Sequence, residues 1–369
     1  MVRKIKLVNF RNYKKVNINF DKKINILIGD NAQGKTNILE SIYVLAFTKS
    51  HRSFIDHSLI KDGQDSAIIK GILQKEISYN LEIILNKTKK RVKIDNDSVT
   101  KLGSYIEKMN IIIFYSDDLS LIKGYPSNRR KYLNLEISQI SQTYYNTLND
   151  YNRLLKIRND YLKRKKSIKN IDMDYFNVLN EYIVEKSIFI YQMRNQYIQK
   201  LNEICPKIYK DITGLSNFKI KYLSSIDLEE DKTKLKLELK NQLTNNLEKE
   251  LKLQTTLYGP HKDDFEFHLK EENLRFYGSQ GQQRIAVLTI KLAEIEIIKN
   301  YKNEFPIVLL DDVFSELDNE KKNNLLSYIN KDMQVIITTT DLENIDKQII
   351  NKAKLIHIKQ GKMQKEVKK

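Results

Sequence analysis

The residues best suited to chemistry lie in one short segment, Gly29 to Thr36, which follows the pattern G-x-x-x-x-G-K-[ST]. An apolar run ends directly before it at Ile28, and apolar residues recur at helical spacing after it. The segment therefore joins a predicted strand to a predicted helix, the context that this pattern requires. It predicts a loop that binds nucleotide phosphates, with an ordinary glycine turn as the alternative.

The chemistry follows from the residue types in this loop. Glycines let successive backbone N–H groups point inward at phosphate oxygens, and the helix start adds partial positive charge. We expect Lys35 to reach the β- and γ-phosphates and Thr36 to offer its hydroxyl to Mg²⁺. The predicted ligands are therefore ATP and Mg²⁺, and the remaining ATP-binding residues are Gly29, Asp30, Asn31, Ala32, Gln33 and Gly34.

A second motif is the apolar run from Ile307 to Leu310, which ends in Asp311 and Asp312. Such a run is typical of a buried parallel strand, whose carboxyl end presents the two acids at the sheet edge. We expect Asp311 to hold Mg²⁺ and Asp312 to orient and activate the attacking water. A plain helix-capping turn is the alternative.

A third motif, residues 277–284, reads Tyr-Gly-Ser-Gln-Gly-Gln-Gln-Arg and directly precedes a helical pattern from Ile285 to Ile298. We call it the signature segment. Its small residues and exposed amides predict a second anion-binding helix start, with a polar loop as the alternative. Four of the 11 glycines of the chain lie in the phosphate loop and this segment, where phosphate approach needs them: Gly29, Gly34, Gly278 and Gly281.

The elements that position these motifs are predicted from hydrophobic periodicity. Strands are predicted at 5–7, 16–20, 24–28, 77–85, 92–94, 111–114, 307–310 and 335–338. Helices are predicted at 38–47 and 285–298, together with two long ones at 128–162, capped by Ser127, and at 175–204. The long helices would pair as an antiparallel hairpin about 50 Å long, with a basic tip from Lys163 to Lys166.

Charge and composition narrow the class of protein. The 369 residues carry 64 Lys and Arg against 47 Asp and Glu, and the net charge of +17 favours a polyanionic partner such as nucleic acid. A general preference for Lys is the rival explanation. The single cysteine, Cys205, excludes a disulfide framework, and no run approaches the about 20 apolar residues of a membrane span. We expect a soluble cytoplasmic protein that does not associate with a membrane.

Taken in order, the motifs resemble an ABC-type ATPase head, and specifically the RecF recombination-mediator family, nearly from end to end. Further segments that resemble the family are 9–13 (Asn-Phe-Arg-Asn-Tyr), 37–40 (Asn-Ile-Leu-Glu), 50–52 (Ser-His-Arg), 117–119 (Asp-Asp-Leu), 123–124 (Lys-Gly), 129–130 (Arg-Arg) and 259–264 (Gly-Pro-His-Lys-Asp-Asp).

The resemblance implies an α/β fold, in which a P-loop sheet lobe with flanking antiparallel strands carries an inserted helical lobe with a short antiparallel hairpin. We accordingly predict the ATPase lobe at residues 1–115 and 255–369, and the helical lobe at 116–254.

The resemblance also implies how the nucleotide is held. Two protomers would sandwich two ATP molecules, each between the phosphate loop of one chain and the signature segment of the other. Ser279 would then be a catalytic residue acting in trans, beside Lys35, Asp311 and Asp312 of the partner, and Gly281 and Gln282 would bind the same nucleotide in trans. Residues 315–318 correspond to a loop that crosses the dimer interface.

Three further residues have roles implied by the same resemblance. Arg11 would contact phosphate or adenine, or would instead form a surface salt bridge. Thr339, within the run 338–340, would sense the γ-phosphate where transporter ATPases carry a histidine. Asp312 stands where many relatives have Glu, and its shorter side chain predicts slow hydrolysis that suits a timer.

The implied function is that of an ATP-dependent, DNA-binding recombination mediator in DNA repair and replication. An ATP-driven homodimer would clamp DNA at junctions between single and double strands, a weak DNA-stimulated ATPase activity would release it, and RecO and RecR would help load the recombinase. The basic residues predicted to contact DNA are Arg52, Arg129, Arg130, Lys163, Arg164, Lys165 and Lys166, with a solvated basic surface as the alternative.

Two other functions use the same ATP motifs. One is the energising subunit of a membrane transporter, which about 130 residues of basic helical insertion argue against. The other is a structural head of the SMC kind, which needs hundreds of heptad residues, whereas this hairpin has helices of about nine turns or fewer. His261, Asp263 and Asp264 resemble a metal cluster but are more typical of a structural turn.

Overall fold

The computed structural model describes residues 1–21, 23–53, 55–165, 171–228, 231–313, 322, 325, 328, 332–343 and 345–364. These residues form two compact units, the first comprising Met1–Asp118 and Glu294–Lys369, and the second Leu119–Ala293. Residues 255–293 therefore lie in the second unit, whereas the sequence-based ranges assign them to the ATPase lobe; those ranges stay a prediction.

Two six-stranded sheets make up the first unit. One is antiparallel, with the order β2-β1-β4-β5-β6-β7, and the other is mainly parallel, with the order β15-β14-β3-β13-β12-β8. The strands are β1 (Val2–Phe10), β2 (Tyr13–Asn19), β3 (Ile24–Ile28), β4 (Ser66–Gln74), β5 (Ser78–Asn86), β6 (Lys90–Ile94), β7 (Asp97–Ser98), β8 (Ile111–Phe114), β12 (Ile307–Asp311), β13 (Val335–Thr339), β14 (Lys354–Lys359) and β15 (Lys362–Met363).

The two sheets differ in sequence because they differ in burial. Strands β3, β8, β12 and β13 are almost continuously apolar and buried, as expected for parallel strands covered on both faces. Strands β4 and β5 alternate between buried and more exposed residues, which fits an antiparallel sheet with one face in solvent.

The first helix, α1 (Lys35–Phe47), contacts strands of both sheets. Eleven of its 13 residues are buried, so it has little of the polar face expected of a surface helix. Its fit against the antiparallel sheet is close, since a Cβ added to Gly71 of β4 would lie 2.3 Å from Cδ2 of Leu45. The chain enters α1 directly from the loop after β3, so the helix start lies at the carboxyl edge of the parallel sheet.

The second unit is mostly helical. A small sheet, with strands β9 (Phe218–Leu223), β10 (Asp264–Leu269) and β11 (Glu272–Asn273), has the order β11-β10-β9. Further helices of the first unit are α2 (Leu102–Ile106) and α11 (Lys347–Lys352). Helices of the second unit include α3 (Ser120–Lys123), α4 (Pro126–Ile140), α5 (Gln142–Arg164), α6 (Met173–Thr213), α7 (Lys232–Asn245), α8 (Leu247–Leu253) and α9 (Leu274–Tyr277), and α10 (Gln280–Lys302) begins in this unit.

The long helical pattern at 128–162 is two helices, so the prediction of one continuous helix was wrong. The break falls at Ser141, whose extended backbone ends α4 and whose hydroxyl accepts a hydrogen bond from Tyr144 N at the start of α5. The predicted cap at Ser127 was also wrong, because α4 begins one residue earlier at Pro126, a residue whose missing N–H suits a first turn.

Helices α5 and α6 pack against each other, as the hairpin prediction requires. At 1.5 Å per residue α5 is only about 35 Å long, so the predicted hairpin length of about 50 Å was wrong, because the helix is interrupted at Ser141. Helix α6 is about 60 Å long, because it continues past the predicted end to Gly214, which ends it in the left-handed conformation. Among the described residues, the chain has no helix with the length and apolarity needed to cross a bilayer.

A buried ion pair fixes this hairpin to α8, near the end where α5 connects to α6. Arg158 of α5 and Glu250 of α8 lie 2.6 Å apart, and both side chains are fully buried. Arg158 also donates to Asn180 Oδ1 of α6 and to Thr256 Oγ1, each at 2.7 Å. Since a buried charge is tolerated only with such partners, three segments far apart in the chain are held in one arrangement.

We predict that replacing Glu250 with Gln destabilises the second unit by about 3–5 kcal/mol, because the buried Arg158 charge loses its counterion. Chemical denaturation of the full chain, followed by circular dichroism, measures the effect. The exposed pair between Lys200 and Glu203 is the matched control, and Glu203→Gln should cost at most about 1 kcal/mol. Equal shifts for the two variants would contradict the role assigned to the buried pair.

Candidate functional site

The loop from Gly29 to Thr36 connects β3 to α1, as predicted. Two positions of the loop need glycine, because atoms from outside the loop leave no room for a Cβ there. A Cβ on Gly29 would lie 2.2 Å from the carbonyl oxygen of Ile358, and one on Gly34, where φ is +111°, would lie 2.7 Å from Nδ2 of Asn12. Ala32 also has a positive φ of 62°, so the loop curls tightly at its centre.

Lys35 begins α1, and its side chain turns back across the loop. Its ammonium group donates to the carbonyl oxygens of Gly29 and Asp30, the latter at 2.9 Å. Burial lowers the pKa of Lys35, while the negative charges of Asp312, Asp30 and Asp311 act in the opposite direction. The lysine charge therefore lies against the loop backbone and is favoured electrostatically by three carboxylates.

Two turns brace the loop from outside through Asn12 and Gly361, neither of which was predicted from the sequence to have a role of its own. Asn12, in the turn between β1 and β2, donates through Nδ2 to the carbonyl of Gln33 at 3.2 Å and accepts from Asn37 Nδ2 at 2.9 Å. Gly361, in the turn between β14 and β15, donates its N–H to the same Gln33 carbonyl at 3.1 Å. The loop conformation is thus held by strands from both sheets.

The acids at the end of β12 lie beside the loop. Thr36 Oγ1 donates to Asp311 Oδ1 at 2.8 Å, although the two residues are 275 positions apart in the chain. Thr338 donates to the same carboxylate oxygen at 2.8 Å, because β12 and β13 run parallel with Asp311 opposite Thr338. Burial raises the pKa of Asp311, and the hydroxyls of Thr338 and Thr36 partly offset that effect.

Asp312 has an unusual backbone conformation for a residue other than glycine, with a φ of 55°. Its N–H donates to Thr338 Oγ1 at 2.9 Å. One hydroxyl, that of Thr338, therefore bridges the carboxylate of Asp311 and the peptide of Asp312. Thr338 is 1% exposed, and only the parallel register reveals this role.

Glu40 brings together three segments that resemble the family. Its fully buried carboxylate accepts from Arg11 Nε at 2.9 Å, from Arg11 Nη2 at 2.7 Å and from Ser50 at 2.6 Å, and Arg52 lies 3.8 Å away. Burial alone would raise the pKa of Glu40, but these hydrogen bonds and charges hold it below the ordinary value. The salt bridge expected as the alternative for Arg11 is present, with a buried partner.

The signature segment begins α10 with a reciprocal capping arrangement. Ser279 Oγ accepts from Gln282 N at 3.2 Å, and Gln282 Oε1 accepts from Ser279 N at 2.8 Å. Because Ser279 Oγ acts as an acceptor here, its O–H group keeps its capacity to donate a hydrogen bond. Beside Gly281 a Cβ would meet only Ser279 Oγ, at 3.9 Å, so packing within the described chain does not explain this glycine.

Thr339 was predicted to sense the γ-phosphate, but its hydroxyl donates to the carbonyl oxygen of Asp341 at 2.6 Å and its side chain is 4% exposed. In this arrangement Thr338, rather than Thr339, contacts the acids. The segment 315–318, predicted to cross a dimer interface, lies outside the described residues.

The residues predicted to contact DNA lie in different surroundings. Arg129 is 2% exposed and forms two hydrogen bonds with the carboxylate of Asp264, at 2.6 and 2.8 Å, which argues against a contact with DNA. Arg130 is half-buried and donates to the carbonyl of Asp263. Arg52 is partly exposed beside Glu40. At the end of α5, Lys163 and Arg164 are exposed, and Lys165 is half-buried over the ring of Tyr161. Lys166 lies outside the described residues.

His261, Asp263 and Asp264 do not form a metal site, and no cluster of three metal-ligating side chains occurs among the described residues. His261 donates through Nε2 to the carbonyl of Thr256 and accepts the Tyr151 hydroxyl at Nδ1. Burial lowers the pKa of His261 to about 4, so the ring is neutral at pH 7. The structural alternative given for this cluster agrees with these contacts.

Comparison with known proteins gives full-length matches. A family described as RecF/RecN/SMC N terminal domain matches residues 1–365. The DNA replication and repair protein RecF of Ligilactobacillus salivarius is 40% identical, over 98% of this chain and 97% of that protein. The protein of the same name from Staphylococcus carnosus is 41% identical, over 97% of this chain and 98% of that protein.

Solved structures agree with these relatives. A structure described as the recombination mediator protein RecF-ATP in the RecFOR pathway superposes with a TM-score of 0.92, at 32% identity, and covers 99% of this chain and 97% of that chain. An SMC head domain of Pyrococcus furiosus, at 14% identity and a TM-score of 0.54, shares the fold alone. These matches confirm the predicted ATPase-head fold, and the chain belongs to the RecF family.

Proposed function

We propose that this protein is an ATP-dependent, DNA-binding recombination mediator whose ATP-bound homodimer holds DNA and releases it after hydrolysis. The single observation that carries the proposal is the hydrogen bond between Thr36 of the phosphate loop and Asp311 of the second motif, since it joins the two halves of a nucleotide site. The structural neighbour described as RecF-ATP supports ATP as the ligand, and its description as a recombination mediator supports the biological role.

The residues at the loop fit the ligand chemistry. Backbone N–H groups of residues 29–36 and the Lys35 ammonium would bind the phosphates, and the start of α1 adds its partial positive charge. The Thr36 hydroxyl and the Asp311 carboxylate are hard oxygen donors, the kind that Mg²⁺ takes together with phosphate oxygens, so the pair fits that ion. When bound, Mg²⁺ would neutralise charge on the phosphates.

Asp312 would accept the proton of the attacking water. Its position depends on the left-handed backbone at φ 55° and on the Thr338 hydroxyl, which makes Thr338 a positioning residue in this proposal. A carboxylate one methylene shorter than Glu reaches less far into the site, which supports slow turnover and a switch rather than a motor.

The signature segment would act on the nucleotide of the partner. The free O–H donor capacity of Ser279, the open space beside Gly281 and the side chain of Gln282 suit an anion that approaches from another molecule. A ligand shared between two chains stabilises the dimer by mass action, so ATP would drive closure and hydrolysis would reverse it.

The net charge of +17 favours a polyanionic ligand. For a member of this family, the polyanion proposed is DNA. The matched proteins named DNA replication and repair protein RecF support the same ligand. RecO and RecR are the proposed partners, because the RecFOR pathway stands in the description of the matched structures. The preferred DNA in this proposal is a junction between single and double strands.

Fluorescence anisotropy of a labelled gapped duplex, titrated with the protein in Mg²⁺-ATP and in Mg²⁺-ADP, tests the proposal. We expect tighter, salt-sensitive binding with ATP alone, because only ATP completes the interface between protomers. Lys35→Ala should abolish the difference, since loss of a charged phosphate contact costs about 1.5–3 kcal/mol. Equal wild-type affinity in both nucleotides would overturn the nucleotide-gated clamp.

We predict that Ser279→Arg abolishes ATP-dependent dimerisation but leaves ATP binding by each chain intact, because Ser279 would contact only the nucleotide of the partner. Light scattering and nucleotide titration measure the two properties. A mixture of the Ser279→Arg and Lys35→Ala proteins should recover part of the dimerisation, since one complete composite site forms in each mixed dimer. No recovery in the mixture, or dimerisation by Ser279→Arg alone, would contradict action in trans.

We predict that Thr338→Val lowers the rate of ATP hydrolysis about tenfold or more while ATP affinity changes by less than about threefold. The reason is that the Asp312 N–H loses its acceptor, at a cost of about 1–3 kcal/mol, whereas Asp311 loses one donor but keeps the Thr36 hydroxyl of the phosphate loop. Thr338→Ser keeps the hydroxyl and should restore the rate. Steady-state hydrolysis and nucleotide titration separate the two effects, and a Ser variant as slow as the Val variant would point to packing instead.

A further inference from the structure

The six-stranded antiparallel sheet has one buried face and one face open to solvent. Ile5, Ile69 and Ile83 are fully buried on the inner face, and the residues that alternate with them lie on the other face. The strand register brings six cations together there, and we call this surface the basic sheet face: Lys4, Lys6, Lys15, Lys70, Arg91 and Lys93.

These cations come from four strands, and the linear sequence does not show that they are neighbours. Across the sheet, Lys6 of β1 lies opposite Lys70 of β4, which lies opposite Glu82 of β5, which in turn lies opposite Lys93 of β6. Glu82 is the one carboxylate among the outward-facing strand residues of this sheet, all of which are described. It forms an ion pair with Lys70 at 2.7 Å and leaves the row with a surplus of positive charge.

Such an arrangement disfavours folding. Like charges directly opposite each other in an antiparallel pair destabilise it, and Lys6 and Lys70 are such a pair. In the described part of the chain, Lys6, Lys15, Arg91 and Lys93 have no carboxylate within ion-pair distance. By contrast, Lys90, on the inner side of β6, binds Asp56 at 2.7 Å. The stability of the sheet therefore does not explain the basic sheet face, whose surplus cations are suited to an external anion.

The geometry of the face selects the kind of anion. Six strands at about 4.8 Å spacing make a surface about 24 Å wide, and cations on alternate residues of a strand are about 7 Å apart. A regular array of charges on this scale suits a polymer of phosphates better than a single small anion. Outward-facing Asn17, Asn80 and Ser98 supply neutral donors of the kind that also contact phosphate oxygens.

The face also favours double-stranded over single-stranded nucleic acid. Its outward-facing strand residues include no Phe, Tyr or Trp, so it lacks the aromatic side chains on which unpaired bases stack. We infer that the basic sheet face binds the phosphate backbone of duplex DNA, independently of base sequence. This inference rests on the proposed function. It places the contact with the DNA backbone on the basic sheet face and not at Arg129, which is buried.

The test removes three charges from the face in the full chain, with the changes Lys6→Gln, Arg91→Gln and Lys93→Gln. Lys70 is kept because it pairs with Glu82. The matched control has Lys347→Gln, Lys352→Gln and Lys359→Gln, which remove the same charge from exposed positions of the same unit outside the face. Affinity for a labelled blunt duplex is measured by anisotropy in Mg²⁺-ATP at several salt concentrations.

We expect the face variant to bind the duplex about tenfold or more weakly in 0.1 M salt, and the slope of log affinity against log salt to fall by up to about 2.7, or 0.9 for each lost phosphate contact. The control should retain the wild-type slope. ATP-dependent dimerisation should be unchanged in both, which shows that the chain is folded and the nucleotide site intact.

Two other results would overturn the inference. If the face variant and the control lose affinity equally, the effect is one of net charge and the face is not a site. If the face variant binds the duplex like the wild type, the backbone contacts lie elsewhere. Failure of the wild type to bind DNA in any nucleotide would instead overturn the proposed function, so the two failures are distinguishable.

Discussion

The hydroxyl–carboxylate cluster at the edge of the parallel sheet is the contact on which the candidate site depends. Parallel strands end at the same edge, so β3, β12 and β13 bring the phosphate loop, Asp311 and Thr338 together. Asp311 is buried, and a buried carboxylate needs hydrogen-bond donors. Thr36 and Thr338 supply them through a single oxygen, Oδ1, and so tie the start of α1 to the ends of two strands.

The phosphate loop is held by the fold as much as by its own sequence. Asn12 and Gly361 both donate to the carbonyl of Gln33, and they come from opposite ends of the chain. Glu40 adds a second brace, because one buried carboxylate collects Arg11, Ser50 and Arg52 around the side of α1. A site braced in this way is preorganised for phosphates, which reduces the conformational entropy that ligand binding must overcome.

Charge is used differently in the interior and on the surface. In the second unit, Arg129, Arg158 and Arg194 are buried, and each faces a carboxylate: Asp264, Glu250 and Asp263 respectively. These pairs fix the arrangement of helices and offer no charge to a ligand. On the antiparallel sheet of the first unit, lysines without such partners share one exposed face. The presence of a Lys or Arg in the sequence therefore does not show that its charge is available to a ligand; that depends on whether the fold pairs it with a carboxylate.

The sequence by itself determined the motifs and most of the elements that present them. The glycine pattern of Gly29 to Thr36, the apolar run before Asp311 and the helix start at Ser279 all follow from local chemistry, so they were predictable. The break at Ser141 was missed, because hydrophobic periodicity continues across it and only a capping hydroxyl marks it. Tertiary structure alone decided that Thr338 bridges the two acids, that Arg129 is buried and that Lys6 lies beside Lys70. Those facts depend on strand register and on partners more than 20 positions away in sequence, which local periodicity does not encode.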